Sequence, residues 1–230
     1  GSGPNVEDLG GWLAAVRANG IGVNLAMFVG HGTLRNLAGI GRKANPSEDE
    51  LQRMVGLLDG ALDYTFGLST GLEYNPGLHA SQAELITLSQ TVGARHRVIM
   101  SHMRNEDDDQ LEQSIAELLH QGRHARVHIA HLKSVYGKGR ARAEELLAVL
   151  ARARAAGVAI TADVYPYIAS YTGISLLFPV WAKTSEDFVI AKRDQREALE
   201  AYLVERIGRR NGPAATLMGT DPYTGKTLAD

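Results

Sequence analysis

The chain has no cysteine and no long apolar run. Without cysteine it contains neither a disulfide nor a thiolate zinc site, and its redox compartment is left open. No apolar stretch approaches the roughly 18 residues that a membrane helix needs, so we predict no membrane contact. The first residues, Gly1-Ser2-Gly3-Pro4, lack a basic segment followed by an apolar one. We therefore expect no secretory signal and a cytoplasmic location.

An excess of charge of either sign is also missing. Lys and Arg number 24 and Asp and Glu 26, which gives a formal net charge of −2. Proteins that bind nucleic acid usually carry a clear basic excess, so we predict no nucleic-acid partner. With 230 residues, of which 44% are hydrophobic, the chain has enough apolar surface for one large domain or two small ones.

Strand-like and helix-like segments alternate along the chain. The strand-like runs are continuously apolar, which is typical of a parallel sheet covered on both faces. They lie at 23–29, 65–69, 98–102, 127–131 and 158–164. Right-handed crossovers between them predict an α/β fold, either a barrel or an open doubly wound sheet. Five units are too few to close an eight-stranded barrel.

Helix starts are visible in two places. Ser47 and Glu50 have the spacing of a capping box. The acidic residues 106–109 predict a second helix start, because carboxylates are favourable at the positive end of a helix dipole. After residue 171 the alternation stops, and 185–210 is a charged, helix-rich stretch that we interpret as an insertion or lid.

Two histidines end consecutive strand-like runs. His102 follows Val98-Ile99-Met100-Ser101, and His131, 29 residues later, ends the run that begins at Val127. The carboxyl ends of neighbouring parallel strands converge, and neutral imidazole is a common metal ligand. A strand histidine taken alone is more often a hydrogen-bonded core residue. Spacing by itself leaves metal binding and core packing both open.

Other polar side chains fall near the same strand ends. His128 lies three residues before His131, so it is expected on the opposite face, under a helix. Lys133 lies two residues after His131, so its side chain could face the same side and attract a carboxylate to the site. The alternative is a surface lysine. Tyr74 and Tyr165 lie in loops at this end, where a phenol donates a hydrogen bond to a carbonyl or packs beside a proline.

Several motifs together match one family. The chain resembles the N-acyl-D-amino-acid deacylases (D-aminoacylases) of the amidohydrolase superfamily over about residues 20–182. Each motif alone is weak, but together, in the same order and with similar gaps, they are specific. The matching segments are Gly30-His31-Gly32-Thr33-Leu34-Arg35, Ser69-Thr70-Gly71-Leu72-Glu73-Tyr74-Asn75-Pro76, Ser101-His102-Met103-Arg104-Asn105-Glu106, Ala130-His131-Leu132-Lys133 and Asp163-Val164-Tyr165-Pro166-Tyr167.

The resemblance implies a metal-dependent (β/α)8 TIM barrel that uses Zn²⁺ to hydrolyse the amide of a small-molecule N-acyl-D-amino acid. The products are a D-amino acid and a carboxylate. By their motifs, His102 and His131 are similar to the metal-ligand histidines of two adjacent strands. Tyr74 and Lys133 fall on positions that hold the substrate carboxylate, and Tyr165 falls near the scissile carbonyl as a catalytic residue.

The chain departs from the family pattern at its other ligands. The family's His-x-His pair and bridging cysteine have no counterpart, and no aspartate is assigned. We therefore expect a fragment covering about strands three to seven, inactive alone and prone to self-association through cut barrel edges. The expected parts are a partial barrel at 1–172, a helical insertion at 173–216 and a return segment at 217–230.

Substrate preference and two alternative functions are also left open. Family members that prefer acidic side chains are similar in placing an arginine where this chain has Trp181, which favours a neutral or apolar D-residue. One alternative function is a non-catalytic α/β domain that binds an anionic ligand or a partner chain. The other is a related amidohydrolase that acts on dipeptides with a D-residue or on another amide.

Overall fold

A computed structural model describes residues 8–137 and 139–230. The segment Gly1-Ser2-Gly3-Pro4, on which the absence of a secretory signal was predicted, lies outside this part of the chain. The chain divides into two compact units, Gly1–Pro166 and Tyr167–Asp230. The three-part functional division at 172 and 216 stays a prediction.

A five-stranded parallel sheet forms the centre of the first unit. The strands are β1 (Phe28–Gly30), β2 (Gly67–Gly71), β3 (Val98–His102), β4 (Arg126–Ile129) and β5 (Ile160–Ala162). Their spatial order is β1-β2-β3-β4-β5, and every pairing is parallel. A doubly wound sheet would reverse its order at a switch point. Sequential order is the arrangement of a barrel segment, so the α/β prediction is confirmed in its barrel form.

Helices connect the strands of this unit. They are α1 (Leu9–Asn19), α2 (His31–Leu37), α3 (Glu48–Ala61), α4 (Gln82–Ala94), α5 (Leu111–Gln121) and α6 (Gly139–Ala155). The predicted capping box at α3 is confirmed, since the Ser47 side chain accepts from the Glu50 N–H and the Glu50 carboxylate accepts from the Ser47 N–H. By contrast, α5 begins five residues after Glu106, so the predicted acidic helix start was wrong.

Alternate strand residues face the helices and make the core. Val29, Leu68, Ile99 and Val127 are at most 1% exposed and belong to one apolar cluster with helix side chains. The intervening strand residues point to the other face, as the period-two geometry of a strand requires. Polar strand residues at the intervening positions therefore face away from the helices.

The second unit is helical. It contains α7 (Ser185–Asp194) and α8 (Arg196–Arg209), with short 3₁₀ helices at Ile174–Leu177, Val180–Ala182 and Pro213–Ala215. A small core of Ala182, Ala191 and Leu199 holds it together. Within the described residues, none of the helices combines the length and apolarity needed to cross a bilayer.

Candidate metal centre

The two predicted histidines meet at the carboxyl ends of β3 and β4. Nδ1 of His102 and Nε2 of His131 lie 3.2 Å apart, and the ring centres are 4.8 Å apart. Two nitrogens bound to one tetrahedral zinc, each about 2.0–2.1 Å from the metal, would be separated by about 3.3–3.4 Å. The two ring nitrogens are therefore spaced like two ligands of a single ion.

A buried carboxylate contacts each imidazole on its other nitrogen. Glu73, 6% exposed, has Oε2 3.0 Å from Nε2 of His102. Glu106, also 6% exposed, has Oε1 3.2 Å from Nδ1 of His131 and 3.7 Å from Nδ1 of His102. Metal-bound histidines usually donate their second ring N–H to a carboxylate in this way.

Glu106 was not recognised as a site residue from the sequence. Its acidic neighbours resembled a helix start, but the segment folds as a loop over the site. The Val135 N–H donates to the Glu106 carbonyl at 2.8 Å, and Asp107 and Val135 form an isolated parallel bridge. The loop after β3 is thus tied to the loop after β4, which turns the Glu106 side chain towards the histidines. No local pattern carries this signal.

The donors of this cluster fit zinc. Ligand atoms of His102, Glu106 and His131 all lie within 4.8 Å of one another. Imidazole nitrogens with one carboxylate oxygen are a ligand set that zinc accepts in catalytic sites. Partial burial lowers the pKa of His131 below 6.5, and the charge of Lys133 lowers it further, although Glu106 opposes the shift. The neutral imidazole that metal binding requires is therefore the favoured form.

The remaining predicted residues surround this cluster. The Tyr74 ring centre is 4.9 Å from that of His102. Nζ of Lys133 donates to Oε1 of Glu106 at 2.6 Å and lies 5.3 Å from the Tyr165 ring centre. The structure therefore brings together all five residues that the sequence singled out, and the individual roles of these residues stay predictions.

The side chain of His128 does not lie on the strand face that its spacing from His131 predicted. It pairs in register with Met100 and Thr161, so its side chain shares a face with that of His102. Its ring contacts Thr161 at 2.9 Å and Asp163 at 3.1 Å. The prediction of the opposite face, under a helix, was wrong because β4 ends at Ile129 and His131 adopts a φ of 44°. Strand alternation does not continue through such a turn.

A second, fully buried cluster lies at the carboxyl end of β1. Nη1 of Arg35 donates to Glu84 at 2.5 and 2.7 Å, and Nε2 of His31 is 2.7 Å from the same carboxylate. None of the three side chains is more than 1% exposed. Burial alone would raise the pKa of Glu84, but the hydrogen bonds and charges of His31 and Arg35 lower it. The segment around His31 forms the first turn of α2.

Comparison with known proteins finds related deacylases. No protein-family model matches the chain. Over 193 residues it is 36% identical to an N-acyl-D-glutamate deacylase of Alcaligenes xylosoxydans xylosoxydans, covering 83% of this chain and 39% of the relative. It is 30% identical to a D-aminoacylase of the same organism over 72% of this chain and 34% of the relative. The chain thus spans between a third and two-fifths of these relatives.

A solved structure shares the fold. The N-acyl-D-glutamate deacylase of Bordetella bronchiseptica, complexed with zinc and a phosphonate that mimics the tetrahedral intermediate, matches with a TM-score of 0.64 and 37% identity. The match covers 68% of this chain and 33% of that one. A D-aminoacylase with a binuclear metal centre matches with a TM-score of 0.66 and 28% identity, covering 84% of this chain and 45% of that one.

Proposed function

The chain belongs to the N-acyl-D-amino-acid deacylase family of the amidohydrolase superfamily, and on that basis we propose that it carries part of the active site of a zinc-dependent hydrolase of N-acyl-D-amino acids. The observation that carries the proposal is the 3.2 Å spacing of the two imidazole nitrogens at adjacent strand ends. Because 3.2 Å also fits a hydrogen bond between the two rings, the spacing supports the proposal together with the buried carboxylates behind the rings and the family relationship.

In this proposal His102 and His131 hold the metal. When bound, zinc supplies a Lewis acid that polarises the amide carbonyl and activates water. Glu73 accepts the Nε2–H of His102, which leaves Nδ1 as the ligand atom. Glu106 lies 3.2 Å from Nδ1 of His131, where the Lys133 ammonium also donates, and it would accept the Nδ1–H once Nε2 binds the metal. Glu73 therefore sets the tautomer of His102, and both carboxylates orient the rings.

Lys133, Tyr74 and Tyr165 would act on the substrate. The Lys133 ammonium is 22% exposed and donates to Glu106, to Nδ1 of His131 and to the His131 carbonyl, so it would hold a substrate carboxylate by exchanging one of these contacts for it. Tyr74, 39% exposed beside His102, is the second group proposed to hold that carboxylate. The Tyr165 hydroxyl would donate a hydrogen bond to the scissile carbonyl, where negative charge develops.

Because the chain spans 39% of its deacylase relative, we propose that these residues are completed by other segments of a barrel and that the chain alone is inactive. β1 and β5 lie at the two edges of the described sheet, and exposed edges pair with other chains. Self-association of the isolated chain follows, and sedimentation velocity would detect it. The cytoplasm is the proposed location.

The side-chain preference is proposed from Trp181, which stands where an arginine accompanies acidic specificity in the family. A neutral or apolar D-residue is expected. The relatives include deacylases named for D-glutamate and for D-aspartate, so their names do not select this preference.

A chimera tests the function. The segment of the Alcaligenes N-acyl-D-glutamate deacylase that matches this chain is replaced by the chain's own residues, and hydrolysis of N-acetyl-D-methionine, N-acetyl-D-glutamate and both L-isomers is measured. We expect activity on D-isomers only, abolished by His102→Ala or His131→Ala. A folded, zinc-loaded chimera without activity would reject the hydrolase and favour a binding domain.

Zinc binding by the 230-residue chain is measured in parallel with a chromophoric chelator as competitor. We expect His102→Ala and His131→Ala to weaken binding, while the matched control His120→Ala, an exposed histidine of α5, does not. Equal affinity in all three variants would show that the proposed ligands do not hold the metal.

A further inference from the structure

A cavity lies at the opposite end of the strands that carry the candidate metal centre. Its volume is about 570 Å³, and it is lined by the turns that precede β3, β4 and β5. Its basic lining residues are Arg97, Arg123, Arg126, His96 and His124. No Asp or Glu belongs to the described lining, so the cavity carries three arginine charges without a neutralising carboxylate in its wall.

Two of these arginines have no side-chain partner among the described residues. The side chains of Arg97 and Arg123 make neither an ion pair nor a hydrogen bond there. Four other arginines of the same unit each donate to at least one carboxylate. They are Arg35, Arg95, Arg104 and Arg142. The cavity therefore concentrates guanidinium groups with free donors.

The walls of the cavity are closely packed. A Cβ added to Gly93 would lie 1.9 Å from the His124 carbonyl oxygen, and one added to Gly122 would lie 2.6 Å from Cγ1 of Val158. The segments before β3 and β4 therefore pack backbone against backbone, and the segment before β5 packs against them through the Val158 side chain. Nη2 of Arg126 also donates to the His96 carbonyl at 2.7 Å, which fixes one guanidinium at the rim.

From these observations we propose that this cavity is a binding site for a small multivalent anion that carries phosphate or carboxylate groups. A guanidinium presents a planar fork of donors that matches both groups. The volume lies within the roughly 300–1,000 Å³ of small-molecule sites. The arginines surround one cavity and do not form a stripe, and the chain's net charge is −2, so an extended nucleic-acid backbone is not the expected ligand.

The test uses isothermal titration of tripolyphosphate and of citrate into the metal-free 230-residue chain at low ionic strength. Because no metal is present, the outcome is independent of the proposed hydrolase. We expect saturable binding of one anion per chain, at least tenfold weaker in the double variant Arg97→Gln/Arg123→Gln. Tighter binding of tripolyphosphate would assign a phosphate ligand, and tighter binding of citrate a carboxylate ligand.

The control is Arg140→Gln/Arg196→Gln, which removes the same charge from exposed arginines paired with Glu144 and Glu200. We expect less than a twofold change in its affinity. Absence of saturable binding to the unsubstituted chain, or equal weakening in both double variants, would overturn the proposal. If the cavity variant does not fold by circular dichroism, Arg97→Lys decides: it keeps the charge and loses the fork, and unchanged affinity would overturn the proposal.

Discussion

The two ends of β3 and β4 differ in whether their charged side chains are paired. At the carboxyl end, Lys133 donates to a nearly buried carboxylate, Glu106, and each metal-site imidazole contacts a carboxylate. At the amino end, Arg97 and Arg123 line a cavity whose described wall contains no acid. The first arrangement is internally compensated, whereas the second has positive charge left for a ligand.

Paired charges at the carboxyl ends of the strands are expected to contribute to stability, and unpaired charges at the amino ends to binding. A compensated cluster depends on each of its members, because losing one leaves another buried without a partner. Uncompensated exposed charges repel each other slightly and contribute little to folding. The predictions below test this contrast, beginning with the largest effect.

Loss of Arg35 should have the largest effect on stability. Arg35→Ala leaves the carboxylate of Glu84, 1% exposed, without its guanidinium, and a broken buried pair costs about 3–5 kcal/mol. The free energy of unfolding is measured by urea denaturation. Arg196→Ala, which breaks an exposed pair with Glu200, is the control and should change little. Similar losses in both variants would contradict the contrast.

Removing the carboxylates behind the histidines should weaken metal binding. Glu73→Gln and Glu106→Gln keep the shape of the side chain but remove the carboxylate charge that orients the imidazoles, and such changes typically cost about 10–100-fold in metal affinity. Competition with a chelator measures the effect. Glu117→Gln, whose carboxylate pairs with Arg104 elsewhere in the unit, serves as the control. Unchanged affinity in the first two variants would show that they do not orient ligands.

Acid should destabilise the first unit partly through the cluster at β1. Burial lowers the pKa of His31 below 6.5, so the unfolded chain binds its proton first. Stability is then fully present above pH 6.5 and is lost as pH falls towards the folded-state pKa. Glu84, whose pKa is also lowered, adds a loss at lower pH. The melting temperature of His31→Gln should fall less between pH 7 and 5 than that of the unsubstituted chain; parallel curves would refute this.

The smallest effect on stability is expected at the amino end. Arg97→Gln/Arg123→Gln removes charges without partners in the described chain, so the free energy of unfolding should change by no more than about 0.5 kcal/mol. The same urea titration measures it. A loss comparable to that of Arg35→Ala would show that these arginines are structural, and it would remove the contrast between the two ends.

Part of the fold and of the site is predictable from local pattern. Apolar runs separated by helix-forming segments predict a parallel sheet, and Ser47 with Glu50 predicts a helix start, because both signals lie within a few residues. His102 and His131 are predictable as neighbours because they lie at or just after the ends of consecutive strands, and parallel strands align their ends. The family motifs predict a metal and a class of substrate, which stay proposals for this chain.

Other features are decided only by tertiary structure. Glu106 enters the site because its loop pairs with Val135, 29 residues along the chain, and His128 faces the site because β4 ends two residues before His131. Arg97 and Arg123 meet at one cavity because separate turns precede adjacent strands. Local sequence pattern is enough to place the strands and helices approximately, since apolar runs and helix caps are local signals, but it does not give the last residue of each strand. Which side chains share a site was decided by packing, since it depends on contacts between distant segments.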